Sequence, residues 1–436
     1  MKTQTILALI AVCTSIVACS RENGSSAPVA PVNDRLSHNE LARFDWFDYD
    51  GRDPVFDVDY GPGQFLNPVL AGFYPDPGAT RVGDDFYIVN STFAYFPGIP
   101  VFHSTDLVNW TQIGNVIDRP GMLDFSGLGL SRGVFAPTIE HHDGTWYVAN
   151  TCVDCGGNFI VTANDPTGPW SDPVWMPEVG GIDPSLFFDD DGSLYIMNND
   201  APPEEPLYPG HRAIWIRAID PETFQSISEP VVLIDGGVRP EEKPIWIEGP
   251  NIYKVEGRYY LSAAEGGTAE DHSQVVLRSD SVLGPYTPFD GNPVLTQRHL
   301  PGDRKDPITS VGHAKLLETA ADEWWATFLG VRPYEGDYYN TGRETFLMPV
   351  RWKDGWPVMT EGDEVVPHVQ DRPNLPDSGP PPIPMSGNFA FREDFDGQEL
   401  DPYWLFIRVP QEKWYDLDKE PGTLVIEKQR RIDSAN

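Results

Sequence analysis

The chain has 436 residues, 66 of them Asp or Glu against 31 Lys or Arg, for a formal charge of −35 and a pI near 4.4. A globular composition with 40 Gly and 43 Pro favours many short elements joined by turns over long helices, and the length exceeds one ordinary core, so an all-β chain with more than one domain is expected. The negative charge repels phosphate backbones and anionic head groups, which argues against nucleic acid as a partner and leaves a membrane within reach only through an anchor.

Residues 1–19 place Lys2 ahead of a short apolar stretch that ends in small residues, the layout of an export signal, and the stretch is too short to span a bilayer as a mature helix. Its end, IVAC, resembles a bacterial lipobox in which the cysteine is lipidated. The expectation is an exported protein, periplasmic or at the cell surface, anchored through Cys19. Residues 20–43 then form a Ser/Pro/Ala-rich tether. The acidic stretch at 44–63, FDWFDYDGRDPVFDVDYGPG, lacks the spacing of a calcium loop and reads as solvated turns, as does DDDG at 189–192.

Residues 44–369 carry a rhythm. GDDFYIVNST, HDGTWYVANT, DDGSLYIMNN, VEGRYYLSAA and ADEWWATFLG are each an acidic or glycine turn followed by an aromatic, β-rich strand, starting at Phe86, Trp146, Leu194, Tyr259 and Trp324. Further strand-like runs lie between them, giving each unit room for ~4 short strands. Five such units predict a five-bladed β-propeller, whose innermost strands offer side chains to a shared axial pocket.

The innermost strands are expected just before each aromatic turn. There the sequence reads FYPDPG with Asp76, GIDPSLFF with Asp183, WIEGPNIY with Glu248 and SVGHAKLL with His313. A carboxylate near an axis is costly unless hydrogen-bonded or functional. Three on one pocket resist ionising together, so at least one pKa rises, which suits a site that needs one protonated acid and one ionised base.

Signal and lipid anchor would use Cys13 and Cys19, leaving Cys152 and Cys155 in TCVDCGG. With no second such pair, a local disulfide or two free thiols is expected before a zinc site. After residue 369 the chain turns Pro-rich at 370–389, a linker of extended geometry, and 390–436 then resemble the start of a β-sandwich. A two-sheet sandwich takes ~100 residues, so only a few strands are expected, with GTLVIEKQ at an unpaired edge.

NPVLAGFYPDPG, STFAYFPGIPVFHSTDLVNWTQIG, GIDPSLFFDDDG, IEGPNIYK with AAEGGT, SVGHAKLLE and GRETFLMPVRWKDGWPV follow one another in the order found in glycoside hydrolase family 43. The chain resembles that family, the β-xylosidase and α-L-arabinofuranosidase group, from Phe44 to Ile426. The resemblance implies inverting hydrolysis at a pentose, with Asp76 as general base, Glu248 as general acid and Asp183 orienting the acid and keeping its pKa high. Acid and base should stand ~6.5 to 9.5 Å apart. Arg343 in NTGRETF matches an arginine that reaches into the sugar pocket near the base, and Phe93 and Phe135 match its walls. His313 matches an axial histidine that in some relatives sits beside a calcium or a water, so no cofactor is required and a structural calcium is left open. Relatives often carry Trp in place of Phe135 and Ser in place of Gly78. Glu265 in AAEGGT is expected along the outer pocket, without a catalytic role.

The function expected is an exo-acting β-1,4-xylosidase that trims xylo-oligosaccharides in hemicellulose degradation. The alternative is an α-L-arabinofuranosidase acting on arabinosylated hemicellulose. A surface glycan-binding lipoprotein without catalysis is the reading from outside the enzyme class, and the intact carboxylate trio speaks against it.

Overall fold

The computed structural model describes residues 41–334, 338–339 and 342–427. The expected signal, Cys19 and nearly all of the tether lie outside the described residues.

The acidic and glycine turns act as hairpin turns. In HDGT and VEGR, the pairs Asp143–Gly144 and Glu256–Gly257 all take positive φ, the mirror-image turn whose twist matches two antiparallel strands. His142 therefore pairs with Thr145, and Val255 with Arg258. Each of the five motifs joins the first and second strands of a blade whose strands follow one another in chain order. Blade 1 runs Gly78–Val82, Asp85–Val89, Gly98–Ser104 and Thr111–Ile117. Blade 2 runs Thr138–His142, Thr145–Val153, Gly157–Ala163 and Val174–Trp175, and blade 3 Ile182–Phe188, Leu194–Asp200, Ala213–Ile219 and Val231–Asp235. Blade 4 runs Glu248–Val255, Arg258–Glu265, Ser273–Ser279 and Thr287–Pro288, and blade 5 Thr309–Glu318, Trp324–Val331, Glu344–Lys353 and Trp356–Val358. The first strands touch in ring order and the fifth returns to the first, which encloses an axis as expected of a five-bladed propeller.

Both faces of every blade are covered, which explains the aromatic and β-branched richness of the second and third strands. Five apolar cores fill the five seams. Val101 and Ile139 share the seam between blades 1 and 2, and Ile160 and Ile196 that between 2 and 3. Ile214 and Leu261 meet between blades 3 and 4, Val276 and Phe328 between 4 and 5, and Ile88 and Leu347 between 5 and 1.

Closing the ring needs a stitch that no single blade supplies. The chain ahead of blade 1 provides it: Gln64–Leu66 pairs with Val369–Asp371 beyond blade 5, and Leu70 bridges Thr345. Between them, buried Asn67 donates its amide to the Leu347 carbonyl at 2.9 Å and accepts from the Leu347 N–H at 2.9 Å, imitating a strand pair with one side chain.

Three expectations are corrected at the ends of the propeller. Residues 44–63 are not all solvated turns of the propeller: Phe47–Gly51 is a strand paired with Phe389–Glu393, and Asp53 caps the 3-10 turn Pro54–Phe56. Leu424–Glu427 is not an unpaired edge but the middle strand between Leu41–Phe44 and Tyr415–Asp416. Its Leu424 joins Phe395 and Leu417 in a small core. The Pro-rich stretch is a docked strap rather than a free spacer. Arg372 and the Ser378 hydroxyl both reach Asp106 of blade 1, each at 2.8 Å, and Leu375 and Met385 pack on the seam between blades 5 and 1.

Asn67→Ala would leave the Leu347 N–H and C=O unpaired inside the closing seam, a cost of about 2–4 kcal/mol. Thermal unfolding of the variant should start several degrees below that of the parent chain; an unchanged midpoint would show that the ring closes without this stitch.

Candidate active site

The first strands do not enter the axis as regular strands. Asp76, Asp183 and His313 all take left-handed backbone, with φ of 51, 54 and 55°. Pairing skips register after Ile182, after Glu248 and on both sides of Gly312, so these positions are bulged. A bulge rotates a side chain out of the sheet plane, and strained non-glycine residues gather where function over-determines them. The irregularities aim Asp76, Asp183, Glu248 and His313 into one cavity of about 570 Å³, within the range of small-ligand sites.

Asp76 lies just ahead of blade 1. Its Oδ1 accepts from Arg343 Nη1 at 2.5 Å, and its Oδ2 from the Ser91 hydroxyl at 2.6 Å. Both oxygens are thus acceptors, the arrangement of an ionised carboxylate. Arg343 stands just ahead of the third strand of blade 5, so this pair spans the closing seam. Its guanidinium also lies over the Phe93 ring, 5.3 Å from the centroid.

Asp183 and Glu248 are held differently. Burial, and then the charge of Asp76, raise the Asp183 carboxyl to about 7. Burial also pushes Glu248 well above the usual carboxylate range, with Asp183 and Asp76 adding repulsion. Asp183 reaches Glu248 through the backbone: its Oδ2 accepts from the N–H of Gly249 at 3.1 Å, which fixes the peptide that follows the glutamate. One carboxylate with two donors and one whose pKa burial raises are the complementary pair that acid–base chemistry needs.

Phe93 and Phe135 flank the cavity as expected, 5.6 Å apart and edge to face, with Phe73 beside Phe93 at 6.0 Å. The Phe93 and Val134 backbones bridge one another. Behind that wall, Phe406–Ile407 of the C-terminal segment pairs with Tyr95–Phe96. Cys152 and Cys155 form a disulfide, and Val153 between them lines the cavity. Glu265 does not line the outer cavity. It is buried and accepts the Val238 N–H at 2.9 Å, bracing the segment that leads to Glu248.

His313 lines the cavity, buried, with its Nε2 lacking a partner among the described residues. Burial and then the Lys315 charge hold its pKa well below the usual histidine value. Among the described residues no group of three or more His, Cys, Asp or Glu is placed to hold a metal.

Sequence reasoning missed Ser91, Glu140, Arg212, Trp246 and Lys315. Lys315 is the clearest: its buried ammonium has no hydrogen-bond partner among the described residues, and burial lowers it to about 8 against the pull of Asp183, Glu140 and Asp76. Glu140, facing it from blade 2, is raised to about 8 by burial. A lysine inside the apolar run VGHAKLL was the available signal.

The model of glycosyl hydrolases family 43 matches residues 65–357, and that of the beta xylosidase C-terminal concanavalin A-like domain matches residues 392–436. A xylosidase/arabinosidase of Butyrivibrio fibrisolvens is 42% identical over 365 residues, covering 82% of this chain and 68% of that protein. A non-reducing end alpha-L-arabinofuranosidase of Bacteroides ovatus is 42% identical over 369 residues, covering 83% and 64%. Among solved structures, a family 43 protein retrieved from capybara gut metagenome superposes with a TM-score of 0.80 at 45% identity, covering 87% of this chain and 71% of that one. The xylan beta-1,4-xylosidase of Bacillus halodurans gives 0.71 at 34%, covering 83% and 68%. The chain spans about two thirds of the length of these curated relatives.

Asp183→Asn keeps an oxygen for the Gly249 N–H but removes a negative charge that helps hold Glu248 protonated. Loss of that charge lowers the Glu248 pKa, so the alkaline limb of the kcat/KM profile should move to lower pH by about one pH unit or more. A limb that stays in place while the rate drops would leave Asp183 a purely structural part.

Proposed function

This chain belongs to glycosyl hydrolases family 43, and from that premise we propose that it is an inverting, exo-acting β-1,4-xylosidase that releases xylose from xylo-oligosaccharides. The observation that carries the reading is the unequal pair of buried carboxylates in one cavity, Asp76 held by two donors and Glu248 pushed by burial well above the usual carboxylate range.

In the proposed reaction, a water on the Asp76 side attacks the anomeric carbon and gives its proton to Asp76. The bond from that carbon to the glycosidic oxygen breaks, and the oxygen takes the proton of Glu248. Attack and departure on opposite faces invert the anomeric centre. Arg343 holds the base and has donors left for sugar hydroxyls, Asp183 positions the acid through Gly249, and Phe93 and Phe135 offer faces to the C–H side of the sugar. His313 completes the floor as a neutral imidazole. The carboxylates suffice for this hydrolysis, and it requires no cofactor.

The second reading, α-L-arabinofuranosidase, is favoured by the relative from Bacteroides ovatus that bears that name at 42% identity. The same acid and base would serve an arabinosylated hemicellulose. Export, with lipid attachment at Cys19, rests on the pattern of residues 1–19 and would bring the cavity to substrates outside the cytoplasm.

Parallel assays on xylobiose and on an arabinofuranosylated xylo-oligosaccharide decide between the two glycones, with faster xylobiose cleavage expected. Glu248→Gln should slow xylobiose cleavage by ~10²- to 10⁴-fold. A dinitrophenyl xyloside, whose leaving group needs no proton, should lose far less. Unchanged xylobiose turnover in this variant would remove Glu248 from the acid role.

A further inference from the structure

The cavity has two unlike sides. Blades 1 and 2 supply the phenylalanine wall and Asp76, whereas Trp246, Arg212, Thr268 and Glu248 come from blades 3 and 4 and the loops joining them. Asp76, Asp183, Glu248 and His313 are buried at the floor, while Thr268 is exposed and Trp246 keeps 44% of its surface accessible at the mouth. A large indole left open inside a cavity has been kept from the core for some purpose.

Its backbone makes the same point. Trp246 has φ of 46°, which is strained for a bulky residue. The strain is held in place from both sides. The Trp246 N–H donates to the Gly210 carbonyl at 2.8 Å, and the carbonyl of Ile245 accepts the Gly266 N–H at 2.9 Å. Gly267 lets the two loops close up, since a Cβ there would come 3.1 Å from Ile245 and 3.5 Å from the indole. Glu265 clamps Val238 on the approach to the same segment. The indole is thus a preorganised flat surface, two residues ahead of Glu248.

Chemistry fixes which part of a substrate lies there. The acid must reach the departing oxygen, so the unit bearing that oxygen sits on the Glu248 side of the cavity. We infer that Trp246 is the stacking platform for the leaving-group pyranose, with Arg212 and Thr268 as hydroxyl partners at the same rim, making this residue a determinant of what the released sugar is cleaved from. The inference rests on the proposed acid role of Glu248 and holds for either glycone. The faces of a pyranose ring carry C–H groups that pack on an aromatic surface, and the neighbouring guanidinium and hydroxyl meet its rim.

The test compares two leaving groups on whichever glycone, xylosyl or arabinofuranosyl, the parent chain cleaves: a pyranose in the oligosaccharide, and fluoride in the glycosyl fluoride, which leaves the platform empty. Trp246→Ala should lower kcat/KM on the oligosaccharide roughly tenfold or more while the fluoride stays within about twofold, and Trp246→Phe should restore most of the loss. The fluoride rate also reports that the variant is folded. Equal losses on both substrates in both variants would make Trp246 a brace for Glu248, and no loss on either would leave it without a part in recognition; both outcomes overturn the assignment. A parent chain that cleaves neither glycone overturns the hydrolase reading and this inference with it.

Discussion

The contact between Arg343 and Asp76 joins the last blade to the first, so closing the ring and holding the Asp76 carboxylate are one constraint. The loop carrying Asp76 is laid against blade 5. The Tyr74 N–H donates to the Arg343 carbonyl, the Thr345 hydroxyl donates to the Tyr74 carbonyl, and the Gly72 N–H donates to Glu344. Glu344 is gripped in turn by Arg332, which also reaches Asp53 in the N-terminal segment. Asp53 accepts a bond from Val55 and its N–H donates to Asn388. A continuous set of bonds thus runs from the segment paired with the C-terminal strands to the residues around Asp76. Ion pairs this buried are strongly destabilising to break singly, which makes the chain of contacts cooperative.

Electrostatics at the axis follows from the same closure. The blades meeting at one axis bring Asp76, Asp183 and Glu248 into a buried region where Asp183 and Glu248 each feel the repulsion of neighbouring carboxylates, while the Lys315 ammonium pulls Asp183 and Glu140 toward the charged form. The donors decide the outcome. Asp76 receives Arg343 and Ser91; Glu248 receives no such partner among the described residues. The contrast between the Asp76 and Glu248 carboxyls comes from which blade carries a donor, not from any difference between aspartate and glutamate.

Much of this was legible because propeller repeats are local. A hairpin turn such as His142 to Thr145 is written in four consecutive residues, and Asp76, Asp183 and Glu248 recur at the same place in their units. What escaped depends on partners far apart in the chain. Nothing in FDYDG reveals that it pairs with FAFRE near the other end, and acidic residues around it gave the strand the look of a solvated turn. Likewise GTLVIEKQ looks unpaired until the N-terminal strand is placed beside it. The proline-rich strap has the composition of a linker, yet Asp106 and a seam of apolar side chains bind it down. Trp246 was invisible for a related reason: in WIEG it reads as one more apolar strand residue, and only its left-handed backbone and open face distinguish it.

The central claim is that Asp76 and Glu248 act from opposite faces of one anomeric centre. Proton NMR of the products during the first turnovers on xylobiose tests it most directly, before mutarotation mixes the anomers. The account predicts that the newly released non-reducing xylose is the α anomer. Release of the β anomer would mean net retention, and would contradict the assignment of Asp76 as a base acting on water.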